Sequence, residues 1–166
     1  SVPIMRRMYE IYSGYYENIS LDIFCQDMVE KSGIFLVEEK ATKRVVGFST
    51  LKVIDMNVEG RRVKGLFSGD TIIEEKYWGS KALQVKFFFR MIREKIRHPF
   101  RPMLWLLISK GYKTYLLLAN NFHNYYPNPE GKDQRLAPLV DAYCQSLFSD
   151  YYCNQRRLLD FGEGYT

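Results

Sequence analysis

Residues 62–96 read RVKGLFSGDTIIEEKYWGSKALQVKFFFRMIREKI, and this stretch decides the fold. Over 62–73, small and apolar residues recur with period two. Val63, Gly65, Phe67, Gly69, Thr71 and Ile73 share one face, as in a strand. After a short loop around Gly79 the spacing becomes helical, with Val85, Phe88, Phe89, Ile92 and Ile96 on one stripe. A strand that enters a helix through a tight glycine-bearing turn leaves unpaired N–H groups at the helix N-terminus. The helix dipole makes that end attractive to anions. The arrangement suits a pyrophosphate or a phosphopantetheine arm.

On the N-terminal side, residues 3–16 carry Ile4, Met8, Ile11, Tyr12 and Tyr15 on one side of a first helix, with Pro3 in its first turn. Ser20 caps a second helix to about residue 31, with Leu21, Phe24, Cys25 and Met28 inward. Strands follow over 33–39 and 45–58, and with 62–73 they form an antiparallel meander joined by short polar turns. On the C-terminal side, His98-Pro99 stops the long helix. Residues 103–109 (MLWLLIS) are a continuous apolar run of strand length, buried on both faces. A helix is expected over 112–120, then a loop. Leu136, Leu139, Val140, Tyr143, Cys144, Leu147, Phe148 and Tyr151 then keep helical spacing.

The chain of 166 residues is read as one domain, 1–166, large enough to bury a core. Hydrophobic residues make up 46%, which excludes a disordered chain. The net charge of +5 is spread along the sequence, and its densest basic run, Arg90 to Arg101, reads as a solvated face or a docking patch for an acidic partner. No nucleic-acid motif accompanies it, so nucleic acid ranks last among partners. Three cysteines without metal-ligand spacing argue for a reducing compartment and against zinc. No HExxH motif or carboxylate–histidine cluster suggests any other metal. Ser68 and Ser109 have no His at a telling spacing, so a serine hydrolase is unsupported. No apolar run is long enough for a helical membrane span, and a cytoplasmic protein is expected. The start without Met and the ending FGEGYT suggest a segment of something longer.

The order helix, helix, three antiparallel strands, long helix, buried strand, helix resembles the GNAT-type acyl-CoA N-acyltransferase superfamily, over roughly residues 1–122. The resemblance implies an α+β fold with a mostly antiparallel central sheet flanked by helices. It also implies a CoA pyrophosphate held by the turn after the third strand, where the superfamily carries Q/R-x-x-G-x-G/A. The matching stretch here is IEEKYWGSKAL, residues 73–83. Tyr77 and Gly79 fit the pattern. Trp78 stands where Arg or Gln is usual, and Lys81 and Leu83 replace the two defining glycines, which elsewhere let backbone approach phosphate closely. Lys81 could supply charge instead.

On this resemblance Trp78, Gly79, Ser80, Lys81 and Ala82 would hold the pyrophosphate. Backbone N–H at Ile72 or Ile73 would polarise the thioester carbonyl. The co-substrate would be an acyl-CoA or an acyl-phosphopantetheine thioester on an acidic carrier protein, with no metal and an amine as acceptor. Glu74, Glu75 or Asp70 would act as base, directly or through water. A carboxylate in mid-strand, as at Asp70, wants a reason to be there. Tyr115 follows the buried strand near where the superfamily has a thiol-protonating Tyr, and His123 lies in a polar loop of the kind that carries function. Residues 123–166 read as helical and lack the superfamily's final hairpin. The alternative reading is a non-catalytic binding or structural module of the same fold.

Overall fold

Ser20 accepts a hydrogen bond from the Ile23 N–H (3.3 Å) and so starts the second of two N-terminal helices, α1 (Val2–Ser13) and α2 (Leu21–Val29). The computed structural model describes residues 2–17, 19–108 and 112–162. The meander follows as β1 (Gly33–Glu38), β2 (Val45–Val58) and β3 (Arg61–Ile73), each antiparallel to the last. A 3-10 turn (Glu75–Tyr77) leads into α3 (Ala82–Arg97). Next, β4 (Met103–Leu106) returns parallel to β3, giving one sheet of order β1-β2-β3-β4. Ser109, expected to end β4, lies outside the described residues. The remaining helices are α4 (Tyr112–Asn121) and α5 (Ala137–Phe148).

The sheet is covered on both faces, as a mixed sheet with a parallel pair requires. On one side α1 and α2 bury Met8, Ile11, Phe24 and Met28 against Phe48 and Ile72, while Tyr143 of α5 meets Met56 and Val63. On the other side α3 sets Phe87 and Met91 against Leu51 and Leu66. Each fully buried side chain of this size contributes about 1.5–3 kcal/mol.

The structure corrects the sequence reading in three places. Alternation along β3 is interrupted. From Ser49↔Thr71 to Leu51↔Ser68, β2 advances two residues while β3 advances three. The extra residue is a bulge at Gly69-Asp70, and it flips the faces. Before it Phe67 lies with Tyr143, and after it Ile72 lies with Phe24 and Phe48.

Second, the stripe Val85, Phe88, Phe89, Ile92, Ile96 faces outward, at 49, 54, 64, 46 and 73% exposure. The packed arc is Leu83, Phe87, Met91 and Glu94. Both arcs are apolar, so periodicity alone could not choose between them. Glu94 is accommodated because Arg90 pairs with it at 2.9 Å.

Third, the C-terminal part is not wholly helical. After α5, β5 (Tyr152–Cys153) and β6 (Leu158–Leu159) form a small separate hairpin. No helix among the described residues is long and apolar enough to cross a membrane.

Candidate functional site

The parallel ladder between β3 and β4 ends at Phe67↔Leu106, one residue before the first serine of the bulged segment. Beyond it β3 stays with β2 and the two strands part. A bulge bends its strand and ends pairing locally, so the sequence at 68–71 builds the parting. Gly69 is required there: a Cβ would lie 2.4 Å from Thr50 Oγ1.

An open groove of about 590 Å³ lies over the parting on the α3 side. Ser49, Ser68 and Thr71 form its floor, α3 gives Phe87, Phe88 and Ile92, β4 gives Trp105, and Phe122 closes it after α4. The floor hydroxyls are mutually satisfied. Ser49 Oγ and Thr71 Oγ1 are 2.8 Å apart, and the Trp105 indole N–H donates to Ser68 Oγ at 3.2 Å. A second cavity of about 350 Å³ sits along the outer edge of β4, between Leu104, Leu106, Tyr125 and Tyr143. It shares Phe88, Ile92, Trp105 and Phe122 with the groove, so the two adjoin.

The turn into α3 stands at the groove's end. Gly79 has φ +85° with open space around it. This is a backbone conformation that costs a residue with a Cβ but not glycine. The Ala82 N–H donates to Ser80 Oγ at 3.3 Å, and the first helical bond runs from Val85 N–H to the Lys81 carbonyl at 3.0 Å. The N–H groups of Leu83 and Gln84 therefore head the helix, with no acidic side chain in the first turn. Trp78, Gly79, Ser80, Lys81 and Ala82 are all exposed, whereas the Leu83 side chain is buried beneath them. The Trp78 indole N–H donates to the Ile73 carbonyl at 2.8 Å, as does the Tyr15 hydroxyl at 3.0 Å.

Those bonds also distinguish Ile72 from Ile73. Glu74 N–H donates to the Val46 carbonyl at 2.9 Å. Antiparallel pairs alternate between bonded and non-bonded, so Phe48–Ile72 is bonded and Gly47–Ile73 is not. The Ile73 N–H therefore turns away from β2 into the parting, while that of Ile72 is engaged.

The proposed acid–base residues are not gathered in one place. Asp70 lies on the sheet face opposite the groove, near Lys31 and Asp27 of the α2 end. Burial pushes its carboxyl above the ordinary value, Lys31 pulls it down and Asp27 pushes it up. Glu74 is committed elsewhere: it pairs with Arg7 of α1 and with Arg44 (2.8 Å and 3.2 Å), which clamps α1 and the β1–β2 turn to the end of β3. The Tyr115 hydroxyl donates to the Pro127 carbonyl at 3.0 Å, and its ring meets Tyr125, so it pins the loop after α4. His123 is exposed and lines neither cavity. Trp105 and Phe122, which join the two cavities, were not among the expected site residues. The apolar run at 103–106 was the signal that could have marked the first. Among the described residues no cluster of three or more His, Cys, Asp or Glu could hold a metal.

By sequence alone, no protein-family model matches the chain and no curated protein does. Solved structures do resemble it. Glucosamine-6-phosphate N-acetyltransferase from Arabidopsis thaliana superposes with a TM-score of 0.52 at 11% identity, over 77% of this chain and 90% of that one. A putative acetyltransferase from Agrobacterium tumefaciens str. C58 gives 0.50 at 12% identity, over 77% and 93%. Ribosomal-protein-alanine N-acetyltransferase from Brucella melitensis biovar Abortus 2308 gives 0.50 at 8% identity, over 76% and 94%. With strands that part beside a glycine-bearing turn into a long helix, the chain has the GNAT-type acetyltransferase fold.

Proposed function

We propose that the groove holds the arm of an acyl thioester and that the chain transfers its acyl group to an amine. The observation that carries this reading is the parting of β3 and β4 over an apolar groove that ends at the open N-terminus of α3. An extended phosphopantetheine arm matches such a slot, with its phosphate end at the Leu83 and Gln84 N–H groups beside Gly79, Ser80 and Lys81. The carbonyl would sit in the parting, where the Ile73 N–H can stabilise the oxyanion of the tetrahedral intermediate. Asp70 faces the other side of the same parting. A half-buried carboxyl with a raised proton affinity suits a base that takes the proton of an attacking amine. Collapse of the intermediate breaks the C–S bond, and the sulfur leaves as a thiolate into the groove from which the arm entered and takes its proton from water. The adjoining apolar cavity along β4 gives room for an acyl chain longer than acetyl. Both CoA and a carrier protein present the same arm, so either could be the donor.

A second reading, a non-catalytic binding module, draws on specific observations. Leu83 is rooted in the core where a phosphate-contacting glycine belongs, and Glu74, Tyr115 and His123 are engaged or turned away. Thiol release from acetyl-, octanoyl- and dodecanoyl-CoA, with and without a panel of amines, separates the two. Amine-dependent release that Asp70→Asn abolishes supports transfer. Binding without release from any donor supports the module.

A further inference from the structure

We propose that the outward face of α3 seats on an anionic lipid bilayer surface, with the mouth of the groove at the lipid boundary. This stands on the helix face alone and not on the acyl-transfer reading. Val85, Phe88, Phe89, Ile92 and Ile96 lie on the arc of the helix opposite its buried side and are exposed, and Phe100 just beyond it is 97% exposed. At 100° per residue these five helical side chains span an arc of about 100°. Lys86, Arg93 and Arg97 form the adjoining flank and are exposed. None of the three pairs with a carboxylate among the described residues. The only acid on the helix, Glu94, is buried against Arg90.

An exposed apolar arc with a basic flank is the pattern of a helix lying in a membrane interface. The charge argues against a second copy of this chain as the occupant. Two such faces would bring basic flanks together with no accessible helix carboxylate to meet them. A protein partner that receives a helix offers an apolar groove, and it would have to supply the acidic rim as well. A bilayer with acidic headgroups supplies both the apolar layer and the negative charge. Four of the arc residues, Val85, Phe88, Phe89 and Ile92, also line the groove, so the apolar surface runs unbroken from the lipid-facing side into it.

The test is co-sedimentation of the full chain with vesicles of phosphatidylglycerol and phosphatidylcholine (30:70) and of pure phosphatidylcholine, at low and high salt. Ile96→Asp and Arg93→Glu are the variants, because both side chains are exposed and neither lines the groove. Their melting temperatures check the fold. The proposal expects binding to the anionic vesicles only, weakened by salt. It expects partition reduced roughly tenfold or more by either variant. No binding to anionic vesicles, or binding that both variants leave unchanged, overturns it. So does a dimer in sedimentation velocity, or a complex with an acidic acyl carrier protein, that Ile96→Asp dissolves while vesicles bind nothing.

Discussion

Gly65 is the position where the packing of this fold can be tested most sharply. It lies on β3 beneath α5, opposite Leu104 of β4. A Cβ there would lie 2.1 Å from Tyr143 Cε2, 2.8 Å from Cζ and 3.0 Å from Cδ2. Carbon atoms in contact sit at about 3.5–4.0 Å, so the ring would have to retreat by roughly 1.4 Å. Tyr143 is 1% exposed and wedged against Met56 and Val63, and it also borders the cavity along β4, which gives the ring some room to turn. Overpacking of this kind costs about 1–3 kcal/mol. For a domain of this size each kcal/mol is worth roughly 2–4 °C, so the melting temperature should fall by about 2–12 °C. A double-mutant cycle with Tyr143→Leu isolates the clash: with the ring gone, Gly65→Ala should cost about 1 kcal/mol or less. Thermal unfolding of the four proteins followed by circular dichroism is the assay. A Gly65→Ala protein that melts within about 2 °C of wild type would refute the packing of α5 on β3 at this register.

Three further outcomes follow from the site. Asp70→Asn should stabilise the protein at pH 7. Burial raises the folded-state proton affinity of Asp70, so the stability of the protonated form is complete below the ordinary value of 3.8 and is lost as pH rises through the higher folded-state value. Asn never ionises, so urea midpoints should show its advantage at pH 7 and a shrinking one toward acid pH. An advantage that grows toward acid pH would be the wrong sign. Arg7→Ala should lower stability by about 1–3 kcal/mol, because it opens the Glu74 clamp and frees the Val45 carbonyl (3.1 Å from Arg7 Nε), while thioester affinity holds. Denaturant midpoints together with calorimetric titration check it, and lost affinity at full stability would return Glu74 to the site. Lys81→Glu should weaken acyl-CoA binding by about 1–3 kcal/mol with no change in melting temperature, as for a lost charged hydrogen bond. Unchanged affinity by calorimetry removes Lys81 from the phosphate contact.

The element order was legible because the strands of the meander are runs rich in apolar residues, alternating over 62–68, each bounded by polar turns. Val45–Val58 needed no long-range information. The faces were not. The bulge at Gly69-Asp70 adds one residue, which a pattern of alternating small and apolar residues absorbs unnoticed, and it reverses everything after it. In α3 two apolar arcs compete, and only the sheet decides which is buried. The turn at Gly79 and the mid-strand Asp70 stood out locally, because a left-handed turn and a carboxylate among apolar strand residues leave marks in sequence. The Glu74 clamp did not, since Arg7 lies 67 residues away and contributes no local signal. The hairpin after α5 has strands of two residues, too short for any period to show.

The central claim, that the groove receives an acyl thioester, is tested most directly by melting the chain against dodecanoyl-CoA, acetyl-CoA and free CoA. A ligand at one hundred times its Kd adds about 2.7 kcal/mol, which for a domain of this size is roughly 5–11 °C. The account predicts a shift of that order with dodecanoyl-CoA, smaller shifts with acetyl-CoA and free CoA, and a reduced shift in Lys81→Glu. A melting temperature that none of the three moves would contradict it.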